Sequence, residues 1–322
     1  MNAEVITFGE TMVVFETTDT GPLKYSNYFQ KRHGGAESNV AVGLRKLGHA
    51  STWMSKVGED ELGEYLLHAI RGEGVNTDDV IMDETAPTGL YIKEKKRPNE
   101  NNVYYYRAGS AASKLSPEDL HADLFSNHKI LHVTGITPLL SQSCDSTVDR
   151  AIDYAKQHGL TISFDPNLRF KLMNSYGEEQ AKNRMRALAA ASDLFLPGVD
   201  EAEWMYDTSD EQTIVAKARE EGAKEIVIKS GSSHSYYADQ YGNEGQVPSF
   251  PVERVIDPIG AGDGFAAGVL SGLLEGVSLE ESVRLGSAVG ALVVSSPGDI
   301  EGLPTRAEVE RFVGKTSTDV SR

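Results

Sequence analysis

Short apolar runs alternate along this chain with stretches in which apolar residues recur every three or four positions. Strands are predicted over 5–8, 51–57, 129–133, 160–164, 193–196 and 225–229, and helices over 37–47, 61–71, 146–157, 178–190 and 211–220. Strands that read as nearly continuous apolar runs are buried on both faces, and helices must cover those faces. The pattern therefore implies a single α/β domain spanning 1–322, with a mostly parallel, doubly wound sheet and ligands at the carboxyl ends of its strands.

Two segments interrupt the rhythm, 11–33 and 87–109. Each carries β-like residues and turn signals but no helical pattern. If they pair as a small sheet over the strand ends, they form a lid that keeps water from a reacting group; the alternative is a pair of surface hairpins. The last residues, 314–322, read as a frayed tail.

The most informative stretch comes late, at Asp257-Pro258-Ile259-Gly260-Ala261-Gly262-Asp263-Gly264-Phe265. From Phe265 the apolar residues Ala266, Val269, Leu270, Leu273 and Leu274 keep a helical spacing, and Gly276 follows the last turn. A glycine-rich loop running into a helix is suited to an anion, because its backbone approaches closely and the N–H groups of the helix start lack internal partners. Gly260, Ala261 and Gly262 are therefore candidates to hold phosphate. Asp263, ionised at the helix start, is a candidate proton acceptor, a pairing that points to phosphoryl transfer onto a hydroxyl.

Charge and cysteine content narrow the partners. With 31 basic against 48 acidic residues the net charge is −17, which argues against nucleic acid or an anionic membrane. No apolar run is long enough for a membrane span, and the start lacks a basic region followed by an apolar one. Cys144 is the sole cysteine, so it forms no internal disulfide and reads as a reduced thiol of a cytoplasmic protein. The eight histidines show no transition-metal spacing, and His132, on a predicted strand, reads as core.

The segment Gly34-Gly35-Ala36-Glu37-Ser38-Asn39-Val40-Ala41, closing at Leu47-Gly48 and followed by Gly58-Glu59-Asp60 and Gly63, resembles the amino-terminal signature of the ribokinase-like (PfkB) sugar kinases. The late glycine loop resembles their carboxyl-terminal signature. Pro258 stands where threonine is common, a variant associated with kinases of 2-keto-3-deoxygluconate. The two signatures lie in the expected order and span nearly the whole chain.

The resemblance implies a ribokinase-like fold with a β lid, ATP and Mg²⁺ as cofactors, room for a monovalent cation, and phosphorylation of a sugar hydroxyl. Gly34, Gly35 and Asn39 then face the sugar. In Val103-Tyr104-Tyr105-Tyr106-Arg107, strand alternation puts Tyr105 and Arg107 on one face, where a phenol and a guanidinium suit a carboxylated, hydroxylated substrate. The resemblance brings Tyr91 and Asp299 to the same pocket. Asn167 and Arg169, in Asp165-Pro166-Asn167-Leu168-Arg169, follow a predicted strand. Arg169 neutralises the moving phosphoryl group, holds a substrate carboxylate, or merely pairs with Asp165.

Lys229, Ser230, Gly231 and Ser232 resemble the family's ATP-contacting loop, and a plain hairpin turn is the alternative. Where the family carries Asn-x-x-Glu, this chain has Gly198-Val199-Asp200-Glu201, so Glu201 is retained while Mg²⁺ organisation through this corner rests more on phosphate and water. The expected activity is ATP-dependent phosphorylation of the terminal hydroxyl of 2-keto-3-deoxygluconate. Two cations near the substrate favour an acid, because a buried cation left without an anion is costly. The rivals are a fructose or ribose kinase, a non-catalytic sugar-binding regulator, against which Asp263 argues, and a dinucleotide-dependent dehydrogenase. Against the last, Gly9-Glu10-Thr11 stands where a Gly-x-Gly-x-x-Gly would be needed. A homo-oligomer is expected, since the open edges of a lid often pair between subunits.

Overall fold

The computed structural model describes residues 4–97, 100–169, 172–173 and 176–317. Its main layer is an eight-stranded sheet built from β1 (Val5–Phe8), β4 (Ser51–Met54), β9 (Ile130–Thr134), β10 (Thr161–Asp165), β11 (Leu194–Phe195), β12 (Glu225–Ser230), β13 (His234–Ala238) and β14 (Glu244–Pro248). The order is β14-β13-β12-β11-β10-β9-β1-β4, parallel from β12 to β4 and antiparallel over the closing hairpins. The chain leaves β1 toward β4 and later returns to β9 on the other side. A crevice therefore opens beyond the carboxyl ends of β1 and β9.

Period-two alternation sends the side chains of each strand to two cores. Ile6, Phe8, Leu131 and Val133 join one core with helices α3 (Gln142–His158), α4 (Glu178–Ala191), α5 (Val199–Tyr206) and α6 (Glu211–Glu221). Val5 and Ile130 join the other with α1 (Ala36–Lys46), α2 (Glu61–Gly72), α7 (Ala261–Glu275), α8 (Leu279–Val293) and α9 (Arg306–Ser317). The sheet is thus wound on both faces, as the alternating rhythm predicts. In the first core the rings of Phe164 and Phe195 stack with centroids 5.9 Å apart, and truncating either to alanine would cost about 3–5 kcal/mol. Gly268 of α7 and Gly286 of α8 let those two helices cross backbone to backbone: a Cβ on Gly268 would lie 2.6 Å from the Gly286 Cα.

The two interrupting segments meet in a second sheet. Strands β2 (Met12–Thr17) and β3 (Phe29–Gly34) come from the first, β7 (Leu90–Arg97) and β8 (Glu100–Tyr106) from the second, in the order β3-β2-β7-β8. Parallel pairing of β2 with β7 makes one sheet of them rather than two separate hairpins.

The structure corrects several boundaries. The run 51–57 divides, because Trp53 Nε1 and Ser55 Oγ both bond the Gly9 carbonyl, at 3.2 and 2.7 Å. The chain then leaves the main sheet, and β5 (Lys56–Gly58) pairs with β6 (Ile81–Asp83). Helix α9 continues through 314–317, where a frayed tail is expected; 318–322 lie outside the described residues. Cys144 is wholly buried in the first turn of α3, its thiol donating to the Ala112 carbonyl at 3.4 Å and pushed up to about 11 by burial. His132 is a core residue bonded to Ser163 Oγ at 3.0 Å, and burial drives it down to about 3. Among the described residues no helix is long and apolar enough to cross a membrane.

Candidate active site

Helix α7 begins inside the glycine loop, so Asp263 sits in its first turn. Gly260 holds φ +78°, and a Cβ there would lie 2.5 Å from the Asp299 carbonyl oxygen, so both conformation and space require glycine. The Ala261 N–H closes a turn onto Pro258 O at 3.4 Å, and the Gly264 N–H opens the helical ladder on Gly260 O at 2.8 Å. Between them, the amides of Gly262 and Asp263 fall where the ladder supplies no acceptor. Gly260 and Gly262 line the cleft, while Ala261, expected beside them, contributes to the loop's turn instead.

Both oxygens of Asp263 are held by amides. Asn39 of α1 donates from Nδ2 to Oδ2 at 2.7 Å, and Asn167, just past β10, donates from Nδ2 to Oδ1 at 3.0 Å. Asn167 sits at φ +42°, a left-handed conformation that asparagine tolerates better than most residues, with its own N–H on Asp165 Oδ1 at 3.1 Å. Asp263 is 8 % exposed. Burial pushes its carboxyl up to about 7; like charge from Asp165 and Asp299 adds, and the Asn39 amide and Arg169 oppose. A carboxyl poised near neutrality, at the open end of a helix and beside unpaired amides, is equipped to take a hydroxyl proton.

Beneath the loop, Lys229 at the end of β12 bonds Asp165 Oδ2 through Nζ at 2.7 Å. Burial opposes its charge, yet Asp165 and Glu201 hold its ammonium above the ordinary value. That pairing removes the expected alternative in which Asp165 serves Arg169. Arg169 is exposed at the rim and bonds the carbonyls of Asn167 and Leu168 at 3.3 and 3.2 Å. Glu201 accepts from the Gly198 and Leu168 amides, at 2.7 and 2.8 Å, and burial together with Asp165 raises its carboxyl. The corner expected to suffer from Gly198 is thus built from main chain, and no side chain at 198 is needed.

No cluster of three potential metal ligands occurs among the described residues. Asp165 and Glu201 face the cleft but are already bonded, an arrangement that fits a Mg²⁺ held by phosphate oxygens and water, with these carboxylates behind the water. The loop after β12 is in fact the β12–β13 hairpin turn, and Gly231 at its φ +61° position does line the cleft. Ser230 and Ser232 do not. Strand alternation turns the Ser230 hydroxyl toward α6, where it donates to Glu211 Oε1 at 2.7 Å, and Ser232 is exposed on the turn.

The opposite wall belongs to the small sheet. Tyr91, Lys93, Val103, Tyr105 and Arg107 face Gly34, Gly35 and Asn39 across a cleft of about 570 Å³. Tyr91 and Tyr105 are cross-strand partners with ring centroids 5.5 Å apart, and the Arg107 guanidinium lies 5.8 Å from the Tyr105 ring centre. A Cβ on Gly34 would overlap the Asp299 carboxylate and crowd the Tyr91 hydroxyl at 3.1 Å. Asp299 is recessed rather than a solvated turn residue. Burial raises it to about 6, with Lys93 opposing and Asp257 and Glu301 adding.

Sequence reasoning missed two cleft residues and misjudged a third. Lys93 shares the face of Tyr91 by period two, a signal that was present, and it bonds Asp257. Glu10 lies two residues past the end of β1, at the carboxyl edge where ligands gather, and it pairs with Arg107. Arg107 is therefore not a cation left waiting for a substrate carboxylate, and the argument for acid selectivity from two unpaired cations fails for this one.

Residues 2–306 match the description "pfkB family carbohydrate kinase". The chain is 39 % identical over 319 residues to the 2-dehydro-3-deoxygluconokinase of Bacillus subtilis (strain 168), covering 99 % of this chain and 98 % of that one. It is 32 % identical to Fructokinase-1 of Zea mays over 329 residues, covering 97 % and 98 %. The crystal structure of a PfkB protein from Polaromonas sp. JS666 superposes with a TM-score of 0.88 at 37 % identity, covering 96 % of this chain and 99 % of that one. With both signatures gathered around one cleft of a doubly wound sheet, the chain belongs to the pfkB family of carbohydrate kinases.

Proposed function

We propose that this chain is an ATP-dependent kinase that phosphorylates the terminal hydroxyl of 2-keto-3-deoxygluconate. The observation that carries the reading is Asp263, fixed by Asn39 and Asn167 beside the Gly262 amide and facing the phenols and guanidinium of the small sheet. The acceptor hydroxyl gives its proton to Asp263 as its oxygen bonds to the γ-phosphorus. The bond from that phosphorus to the β–γ bridging oxygen breaks, and ADP leaves with the electron pair. The amides of Gly262 and Asp263 stabilise charge on the moving phosphoryl group, with Arg169 at the rim. Asp165 and Glu201 are the residues that would hold Mg²⁺, which would neutralise phosphate charge there. The small sheet acts as the lid, excluding water from the phosphoryl group.

The relative named a 2-dehydro-3-deoxygluconokinase supports the acid sugar, as do Tyr91, Tyr105, Arg107 and Arg169 in one cleft. A second reading, a kinase of a neutral sugar such as fructose, draws support from the Glu10–Arg107 pair, which leaves less uncompensated positive charge for an acid. A coupled ADP-release assay with 2-keto-3-deoxygluconate, fructose and ribose separates them. A strong preference for the acid supports the first reading, and equal or better turnover of fructose overturns it. The chain is further proposed to form a homo-oligomer through its lid. Edge strand β8 presents Tyr104 and Tyr106 at 41 % and 62 % exposure, and light scattering of a monomer would reject this.

A further inference from the structure

Glu10 has a fully buried side chain, 0 % exposed, in the wall of the cleft. Its Oε2 accepts Arg107 Nε at 2.6 Å and lies 2.5 Å from Nη2 of the same guanidinium in an ion pair, and its Oε1 accepts the Ser110 hydroxyl at 2.6 Å. Gly89 supplies the room: a Cβ there would lie 2.6 Å from Glu10 Oε1. The end of β1, the residue before β7, the residue after β8 and the turn at Ser110 thus converge on a single carboxylate. A buried carboxylate loses much by giving up its cation, so the pair holds together.

A guanidinium is a rigid plane, and fixing one edge fixes the direction of the others. With the Nε–Nη2 edge turned inward to Glu10, the Nη1 side remains for a ligand in the cleft.

We propose that Glu10 is a positioning residue for acceptor recognition: it aims the outer edge of Arg107 at the anionic end of the sugar. The proposal rests on the acid-sugar reading of the cleft and deepens it. Because Glu10 and Arg107 cancel in charge, Arg107 contributes direction, and Arg169 at the rim is the cation left to meet an acid's charge. The Arg169 guanidinium bonds the backbone carbonyls of Asn167 and Leu168.

A double-mutant cycle tests this. Glu10→Ala and Arg107→Ala are each expected to raise the KM for 2-keto-3-deoxygluconate about tenfold while the KM for ATP stays within about twofold. The double variant is expected to be no worse than Arg107→Ala alone, because Glu10 acts only through that guanidinium. Glu10→Gln keeps the shape and one acceptor oxygen, so it is expected to fall between wild type and Glu10→Ala, and it serves if Glu10→Ala does not fold. An acceptor KM unchanged in both Glu10 variants, or effects that multiply in the double variant, overturns the proposal. Running the cycle on whichever sugar the wild type phosphorylates fastest keeps the outcomes distinct. A wild-type preference for fructose rejects the acid-sugar reading, whereas absent coupling on the preferred sugar rejects the role of Glu10.

Discussion

Lys93, on the small sheet, bonds Asp257 at the head of the glycine loop, Nζ to Oδ2 at 3.0 Å, and also reaches Glu16 Oε1 at 3.3 Å. This contact joins the small-sheet wall of the cleft to the glycine loop. Removing one partner of this part-buried pair leaves the other charge uncompensated. Lys93→Met is therefore expected to increase amide exchange in β7 and β8 and to lower kcat. Protection of those strands equal to wild type would show that the pair does not hold the small sheet in place.

Asp263→Asn is expected to reduce kcat by about 10²–10⁴-fold while nucleotide affinity changes little, because the variant loses the base and keeps the amides. Equilibrium binding of a nonhydrolysable ATP analogue, set beside turnover, checks both halves.

The raised Asp263 carboxyl predicts two pH effects. Wild-type kcat/KM should climb as pH rises through about 7, when the base becomes ionised. Stability runs the other way. An acid whose folded value lies above its ordinary 3.8 binds more protons folded than unfolded between 3.8 and about 7, so its contribution to stability falls as pH rises across that window. Asp263→Asn escapes this loss, and its melting temperature should gain on wild type steadily from pH 4 to about pH 7. A constant difference in melting temperature would show that Asp263 is not perturbed.

Asn167 combines a left-handed backbone with the amide that holds Asp263. Asn167→Ala should cost up to about 1–2 kcal/mol, because alanine tolerates that left-handed conformation less well than asparagine, and slow turnover. Asn167→Gly removes the strain but also the amide. It should keep stability near wild type while losing kcat to the same extent, and thermal melts beside initial rates separate the two contributions.

Gly34→Ala should leave the fold intact and raise the acceptor KM, since the new methyl would press on Asp299 and Tyr91. Overpacking of this kind typically costs about 1–3 kcal/mol, relieved here by displacing Asp299. Unchanged acceptor kinetics would place the sugar elsewhere.

Much of this architecture was readable from pattern. Buried strands and amphipathic helices announce themselves by period, and the glycine loop by the conformations it demands. Pairings distant in sequence were not readable. Nothing in the sequence singles out Glu10 as a partner of Arg107, and the β2–β7 and β7–β8 pairings together bring them to each other. The Ser230 hydroxyl faces Glu211, which a glycine-serine loop does not reveal from sequence, while Asp165 gained Lys229 as partner through sheet order. Helix α8 went unpredicted because its face is cut for another helix, with Ser282 and Gly286 where a stripe of larger apolar residues would be sought.

Cys144, shut beneath its helix with a thiol held in the neutral form, leaves the native protein without a target for maleimide dyes. A cysteine introduced at Tyr106, on the rim of the small sheet, would then carry a fluorophore with no background labelling. Any opening and closing of that sheet over the cleft could then be followed in real time on otherwise unaltered enzyme.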